Sequence, residues 1–307
     1  MRTGWLSALV LLAPAAAADI PAFWQTTLAR LHAEPLEAVE KDVREPLPYR
    51  VISVEYRSLG GVRIRARLAL PIRGGDPSPR PLPAVVTVPG YGGNQHGVML
   101  DECQRGYAIL QVDPRSQGAS AELWKIEPGA EKLTWHSGNP DGAYYQLAYA
   151  DVIRGVDYLV QNSAIDRDRI AIAGTSQGGG IALAVASLDP RLKAVVAHVP
   201  FLCDMRSAAR TPGSLVKKLL DQAGANDEAH LAVLDYFDPL QLVPALRVPA
   251  LLSSGGKDLV CPAGTIRAVF DRIPSVKSLL HEPDLAHTTS APFYRLTWLW
   301  LDQTLRP

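Results

Sequence analysis

A serine lies between closely spaced glycines in residues 174–180, which read Gly-Thr-Ser-Gln-Gly-Gly-Gly. A short apolar run, residues 170–173, comes before this segment, and an alanine-rich run, residues 181–186, follows it. The pattern predicts a strand, a sharp turn and a helix, with Ser176 presented as a nucleophile on the turn. The bare pattern arises by chance in roughly one chain in ten, so a glycine-rich turn with Ser176 as a helix cap is the alternative.

A serine hydroxyl needs a base to remove its proton, and the base needs a carboxylate to orient it. On an α/β-hydrolase fold these groups follow in the chain order Ser, Asp, His. Asp258 follows the apolar run 250–252, and His287 follows the short predicted strand 277–280. Both therefore fall at the carboxyl ends of predicted strands, where α/β sheets place their sites. Ser176, Asp258 and His287 are the predicted catalytic residues.

Three other residues compete for the same roles. His281 is near His287 in sequence but falls at the end of a predicted strand. Asp284 could replace Asp258 as the orienting acid, although it comes only three residues before His287. His198 also ends a predicted strand, and we interpret it as a lining or core residue.

The tetrahedral intermediate of acyl transfer carries an oxyanion that needs two backbone N–H donors. The first is expected from Gln177, the residue after the nucleophile. The second is expected from Tyr91, in the glycine-rich segment 89–93 that follows the apolar run 84–88. A tight turn without a catalytic role is the alternative for this segment. Its glycine spacing does not match either nucleotide-binding motif.

The composition excludes several classes of function. The chain has 307 residues with 31 basic and 31 acidic side chains, so no basic face for nucleic acid is indicated. Cys103, Cys203 and Cys261 are far apart and form no metal-binding spacing. At least one of these thiols is unpaired within the chain. We expect no metal and no organic cofactor.

Residues 1–18 have the pattern of an export signal. Arg2 supplies a positive start, residues 5–12 are an apolar core, and three alanines at 16–18 fit a cleavage site. The apolar core is too short to span a membrane, and no later stretch is long enough. We therefore expect a periplasmic or secreted protein whose mature chain starts near Asp19. A buried N-terminal helix is the alternative.

The rest of the chain, residues 19–307, is predicted to be a single α/β domain. Residues 51–56 and the alternating segment 62–70 predict an antiparallel pair at the sheet edge, after a polar connector that runs to Pro48. Continuous apolar runs then alternate with helical patterns, which predicts a mostly parallel sheet with helices on both faces. The predicted parallel strands lie at 84–88, 108–112, 170–173, 194–197 and 250–252. The predicted helices lie around 97–104, 144–161, 177–187, 262–272 and 292–305.

Residues 203–248 break this alternation. Two helical segments, 214–223 and 229–234, follow each other with no strand between them. A small cap-like helical insertion near the site is expected here, within the same domain.

These residues resemble the acetyl xylan esterase / cephalosporin-C deacetylase family, carbohydrate esterase family seven. The Gly-x-Ser-Gln-Gly form of the elbow is more specific than the general elbow pattern. The similar segments are 23–29, 33–36, 90–93, 174–179, 199–204 and 258–262. The resemblance implies an α/β-hydrolase that removes small acyl groups, especially acetyl, from sugars and related alcohols. It also implies a homo-oligomer, commonly a hexamer.

Two positions depart from the family pattern. The family's Arg-Gly-Gln motif is Arg115-Ser116-Gln117 here, and its His-Glu pair is His287-Thr288. Two other functions stay open at this point. One is a peptidase or amidase of the prolyl-oligopeptidase-like type, although this chain has no room for the large extra domain of such enzymes. The other is an inactive hydrolase fold used for binding.

Overall fold

The computed structural model describes residues 19–44, 46–72, 81–93 and 97–306. Within these ranges the strands form a single sheet with the order β1-β2-β3-β5-β4-β6-β7-β8-β9. Six neighbouring strands of this sheet, β4 to β9, are parallel to one another. They are β4 Leu82–Val88, β5 Ala108–Asp113, β6 Ile165–Thr175, β7 Ala194–His198, β8 Ala250–Gly255 and β9 Lys277–Glu282. The predicted parallel sheet is therefore confirmed.

The N-terminal part of the sheet is antiparallel, as predicted, but it contains an additional strand. The strands are β1 Val39–Val43, β2 Tyr49–Arg57 and β3 Arg63–Pro71. The prediction of a connector up to Pro48 was wrong, because β1 pairs with β2 at the sheet edge. Four of the five β1 residues are exposed and three are charged, so the strand lacks the apolar alternation that identifies strands in sequence.

Helices cover both faces of the sheet. The buried apolar side chains of four helices belong to one core cluster. These helices are α1 Ile20–Ala33, α2 Tyr144–Gln161, α3 Gln177–Leu188 and α8 Ala263–Arg272. The buried apolar side chains of α9 Ala291–Leu305 belong to a second cluster on the opposite face. The helix expected around residues 97–104 is a shorter 3-10 helix, Leu100–Arg105. The α/β-hydrolase architecture predicted from the sequence is thus confirmed.

Four short α-helices and the 3-10 helix Val243–Ala245 lie between β7 and β8, in the segment predicted to be an insertion. The four α-helices are α4 Met205–Ala208, α5 Leu215–Ala223, α6 Glu228–Leu234 and α7 Pro239–Leu242. Leu215, at the start of α5, lines the cavity that contains Ser176. The single domain over residues 19–307 stays a prediction.

Two further expectations concern export and the membrane. The predicted signal peptide, residues 1–18, lies outside the described residues. Across the described ranges, no helix has both the length and the apolar character needed to cross a bilayer.

Cys103, Cys203 and Cys261 are buried and unpaired in the structure.

Candidate active site

Ser176 lies on a sharp turn between the end of β6 and the start of α3. Its φ of 57° and ψ of −119° are unusual for a residue other than glycine, as expected for a strained nucleophile elbow. The Ser176 N–H donates a hydrogen bond to the His198 carbonyl at 2.9 Å, which fixes the turn against β7. A Cβ atom on Gly178 would lie 2.1 Å from the Val88 carbonyl oxygen. The glycine is therefore needed for α3 to pack this closely on β4.

The structure brings the three predicted catalytic residues together, although 111 positions separate His287 from Ser176. His287 Nε2 lies 3.0 Å from Ser176 Oγ, and His287 Nδ1 lies 2.8 Å from Asp258 Oδ2. The Asp258 side chain is fully buried, whereas the His287 side chain is 24% exposed. The geometry allows the imidazole to accept the serine proton at Nε2 while Nδ1–H donates to the carboxylate.

The loops after β8 and β9 hold Asp258 and His287 in these positions. The Lys257 N–H donates to the Leu285 carbonyl at 2.9 Å, so the two loops are joined directly. Asp258 Oδ1 accepts the N–H groups of Val260 at 2.9 Å and Cys261 at 2.8 Å. The carboxylate is thus fixed by the backbone on one oxygen and faces His287 with the other.

The competing residues point elsewhere. His281 Nδ1 lies 2.9 Å from Ser254 Oγ, inside the strand pair β8–β9. Asp284 is 92% exposed and forms an ion pair with Lys257 at 2.7 Å. Neither forms a hydrogen bond or an ion pair with Ser176 or His287, so the geometry favours the residues predicted first.

His198 is a fully buried residue beneath the elbow, as predicted, and it is expected to make stability depend on pH. Burial lowers the pKa of its imidazole to about 3, whereas an unfolded histidine titrates near 6.5. Between these values the unfolded chain binds more protons, so the unfolding free energy should decrease as the pH falls. The slope contributed by this residue approaches about 1.4 kcal/mol per pH unit.

Urea unfolding between pH 7 and pH 4 measures this effect. His198→Gln removes the titrating group, so its unfolding free energy should fall less steeply with decreasing pH than that of the original chain. Identical slopes in the two proteins would contradict the assignment.

Of the two predicted oxyanion donors, Tyr91 lines the same cavity as the nucleophile. This cavity has a volume of about 520 Å³, and its wall includes Tyr91, Ser176 and His287. The Gln177 amide lies at the first position of α3, next to the nucleophile. The Tyr91 hydroxyl donates to Glu131 Oε2 at 2.7 Å, which anchors the Tyr91 side chain.

A buried chain of amide side chains, which sequence reasoning missed, connects the elbow to the segment around Tyr91. Gln177 Nε2 donates to Gln117 Oε1 at 2.8 Å. Gln117 Nε2 in turn donates to the Gly90 carbonyl at 2.8 Å. The Tyr145 hydroxyl donates to Gln177 Oε1 at 3.1 Å. These hydrogen bonds fix the positions of the two predicted oxyanion donors relative to each other.

Replacing Tyr145 with phenylalanine should reduce stability, because the buried Gln177 carbonyl oxygen would lose its donor. An unsatisfied buried acceptor costs about 1–3 kcal/mol, so the unfolding free energy measured in urea should fall by this amount. Tyr158→Phe is the matched control. The Tyr158 hydroxyl donates to Glu40, which is exposed on the edge strand β1, so water can replace the lost donor. An equal or larger loss in the control would contradict the interpretation.

In the segment 115–117, Ser116 stands where the family pattern has glycine. Arg115 and Asp151 form a buried ion pair at 2.6 Å, which anchors the segment to α2. Ser116 has a φ of 64°, a left-handed conformation that glycine adopts with little strain. With serine at this position, the next residue, Gln117, accepts a hydrogen bond from Gln177.

Potential metal ligands are present in the site. Asp258, Cys261 and His287 bring ligand atoms within 4.8 Å of one another. Two of the three belong to the predicted triad, and their hydrogen bond at 2.8 Å already uses the Nδ1 atom of His287. Burial raises the pKa of the Cys261 thiol, which disfavours the thiolate that binds metals. The expectation that no metal or cofactor is required stays a prediction.

Comparisons with known proteins give consistent results. The profile of the acetyl xylan esterase (AXE1) family matches residues 13–303. A curated relative, the acetyl esterase Axe7A of Xylanibacter ruminicola, is 28% identical over 172 residues. This match covers 54% of the chain but only 38% of the relative, so it extends over less than half of that protein.

Solved structures match over nearly the whole chain. The acetyl xylan esterase from Paenibacillus sp. R4 is 27% identical, has a TM-score of 0.83, and is matched over 94% of this chain and 95% of its own. Acetyl xylan esterase 1 from Thermoanaerobacterium sp. is 21% identical with the same TM-score, and 93% of each chain is covered. The second match shows the shared fold.

Proposed function

This chain belongs to the acetyl xylan esterase family of carboxylic ester hydrolases, and we propose that it removes acetyl and other short acyl groups from sugars or related alcohols. The observation that carries the proposal is the chain of contacts from Asp258 through His287 to Ser176, at 2.8 and 3.0 Å. This arrangement next to an open cavity is suited to acyl transfer through a serine.

In the first half of the reaction, Ser176 Oγ attacks the ester carbonyl carbon as its proton passes to His287 Nε2. Asp258 holds the imidazole in the required tautomer and stabilises the imidazolium that forms. The N–H groups of Tyr91 and Gln177 bind the resulting oxyanion. As the tetrahedral intermediate collapses, the C–O bond to the alcohol breaks and His287 protonates the leaving oxygen, which leaves an acyl-enzyme.

In the second half, water replaces the alcohol in the cavity. His287 takes a proton from this water, whose oxygen attacks the acyl carbon. Collapse of the second intermediate breaks the bond to Ser176 Oγ, which regains its proton from His287. The carboxylic acid is released and the enzyme is restored, so the cycle needs only water as a co-substrate.

A panel of p-nitrophenyl esters from acetate to octanoate tests the acyl preference, with acetylated sugars and cephalosporin C measured beside it. We expect the highest kcat/KM for acetate and a steady decrease with chain length. A dipeptide anilide is included as an amide substrate. A preference for octanoate, or for the anilide over acetate, would contradict the proposal.

We also propose that the protein is exported, because residues 1–18 have the pattern of a signal peptide. Expression of the full chain in a Gram-negative host, followed by fractionation and N-terminal sequencing, tests this. A mature chain that starts at Asp19 in the periplasm or medium is expected. An intact chain that keeps residues 1–18 in the cytoplasm would contradict it.

A homo-oligomer, commonly a hexamer in this family, is the assembly that the resemblance suggests. Light scattering during size-exclusion chromatography measures the mass directly. A mass close to six times that of one mature chain is expected. A monomer at every concentration would contradict the suggestion without affecting the proposed chemistry.

A further inference from the structure

The backbone on the N-terminal side of Tyr91 is fixed by hydrogen bonds to a carbonyl. The peptide bond that carries the Tyr91 N–H also carries the Gly90 carbonyl, and in a planar trans peptide these two groups point in opposite directions. The Gly90 carbonyl accepts Gln117 Nε2 at 2.8 Å and the Gly93 N–H at 3.0 Å. The two hydrogen bonds fix the plane of this peptide, so they also fix the direction of the Tyr91 N–H.

The Tyr91 side chain is held by a different part of the chain. Its hydroxyl donates to Glu131 Oε2 at 2.7 Å. Lys132 Nζ lies over the ring, 4.1 Å from its centre, where a cation is attracted by the π electrons. The Phe201 ring makes an edge contact with the Tyr91 ring, with the centroids 5.9 Å apart. Tyr91 is therefore fixed at its hydroxyl and at its ring as well as at its backbone.

The backbone of Glu131 is itself part of a hydrogen-bonded turn. Its carbonyl accepts the N–H groups of Thr134 at 3.0 Å and Trp135 at 2.9 Å. The Trp135 carbonyl accepts the Tyr144 N–H, at the start of α2, at 3.4 Å. A side chain can place another group accurately only if its own position is fixed. The turn meets this condition, because it ties the Glu131 carboxylate to a helix of the core.

We propose that Glu131 is a positioning residue, whose carboxylate holds the Tyr91 side chain so that the Tyr91 N–H is placed to bind the oxyanion formed at Ser176. Glu131 is not part of the wall of the catalytic cavity, so it acts through Tyr91. The proposal rests on the proposed function, because it assumes acyl transfer at Ser176. A donor that is placed in advance needs no reorganisation as charge develops on the oxygen, so its placement decides much of its effect.

Glu131→Ala is expected to lower kcat for p-nitrophenyl acetate about tenfold, less than the roughly 10²- to 10³-fold lost with a whole oxyanion donor. The value of kcat/KM should fall by the same factor, because the lost interaction is made only in the transition state. Glu131→Gln keeps an oxygen that accepts the Tyr91 hydroxyl, so it should restore most of the activity. Tyr91→Phe breaks the same hydrogen bond, and combining it with Glu131→Ala should cause little further loss.

A thiono ester gives a readout that a general loss of structure does not change. In p-nitrophenyl thionoacetate, sulfur replaces the carbonyl oxygen, and the larger thiolate anion accepts weaker hydrogen bonds from the N–H donors. The ratio of kcat/KM for the oxygen ester to kcat/KM for the thiono ester therefore reports on these donors. Glu131→Ala should lower the ratio about fivefold, and Glu131→Gln should lower it by less than about twofold.

Glu122→Ala is the matched control. Glu122 is an exposed glutamate in the same connection between β5 and α2, and its carboxylate pairs with Arg65. The substitution removes the same charge without changing a contact of Tyr91. The ratio for the two esters and the value of kcat should therefore stay within about twofold of the original enzyme.

The rate at which a fluorophosphonate labels Ser176 separates this proposal from the assignment of the substrate. The reagent places a phosphoryl oxygen where the oxyanion forms, whatever ester the enzyme prefers. Labelling that is about tenfold slower in Glu131→Ala and normal in Glu122→Ala supports the positioning role. This holds even if acetate is a poor substrate, an outcome that would refute only the acyl preference.

Two results would overturn the positioning role of Glu131. One is an unchanged ester ratio and labelling rate in a folded Glu131→Ala protein. The other is an equal loss in Glu131→Ala and Glu122→Ala. If Glu131→Ala does not fold, Tyr91→Phe is compared with Glu122→Ala in the same two assays, with the same expected and contradicting results.

Discussion

Ser176→Ala is expected to lower kcat for p-nitrophenyl acetate by about 10⁵- to 10⁶-fold, the largest effect of any single substitution in this chain. Without Oγ there is no atom to form the acyl-enzyme, although the cavity and the oxyanion donors stay in place. The residual rate would come from direct attack by water on the bound ester. Stopped assays at high enzyme concentration, after removal of host esterases, measure a decrease of this size.

Ser187→Ala is the matched control for this substitution. Ser187 lies on the same helix, α3, and its hydroxyl donates to the Leu183 carbonyl at 2.7 Å. This change should keep kcat within about twofold, since the residue is outside the catalytic cavity. A Ser176→Ala protein that is folded and retains more than about one hundredth of the activity would contradict the assigned nucleophile.

Asp258→Asn should lower kcat by about 10⁴-fold while the fold is kept. The asparagine oxygen can still accept the N–H groups of Val260 and Cys261, which Asp258 Oδ1 now accepts. Its amide nitrogen would then face His287 Nδ1 as a donor. That contact stabilises the tautomer with the proton on Nε2, which is unable to accept the proton of Ser176.

Asp284→Asn separates this effect from a general loss of charge near His287. Asp284 was the competing acid in the sequence, and the structure pairs it with Lys257 on the surface. Its replacement should change kcat by less than about twofold. A large loss in Asp284→Asn together with a small loss in Asp258→Asn would reverse the assignment.

The sequence predicts the central sheet well because the strands buried on both faces are continuous apolar runs. The order of the predicted strands also places Ser176, Asp258 and His287 near the carboxyl ends of parallel strands. In the structure these three side chains lie within hydrogen-bond distance of one another, in the order Ser176, His287, Asp258. The edge strand β1 was missed because its residues are charged and exposed, so only pairing with β2 keeps it extended. Local pattern carries no information about such pairing.

The hydrogen bonds that support the site could not be predicted from the sequence either. Gln117, Tyr145 and Gln177 come from different elements, and their hydrogen bonds join residues that are 60 and 32 positions apart. Glutamine and tyrosine are common at surfaces, so their types alone do not predict a buried network.

Reaction with a fluorophosphonate probe, mapped by peptide mass spectrometry, tests the activated nucleophile most directly. The account predicts a single adduct on Ser176, formed at a stoichiometry of about one per chain and blocked by prior incubation with a slowly hydrolysed acetyl ester. His287→Ala should slow labelling strongly, because the serine loses its base. A chain that is folded but unlabelled, or labelled at another serine, would contradict the account.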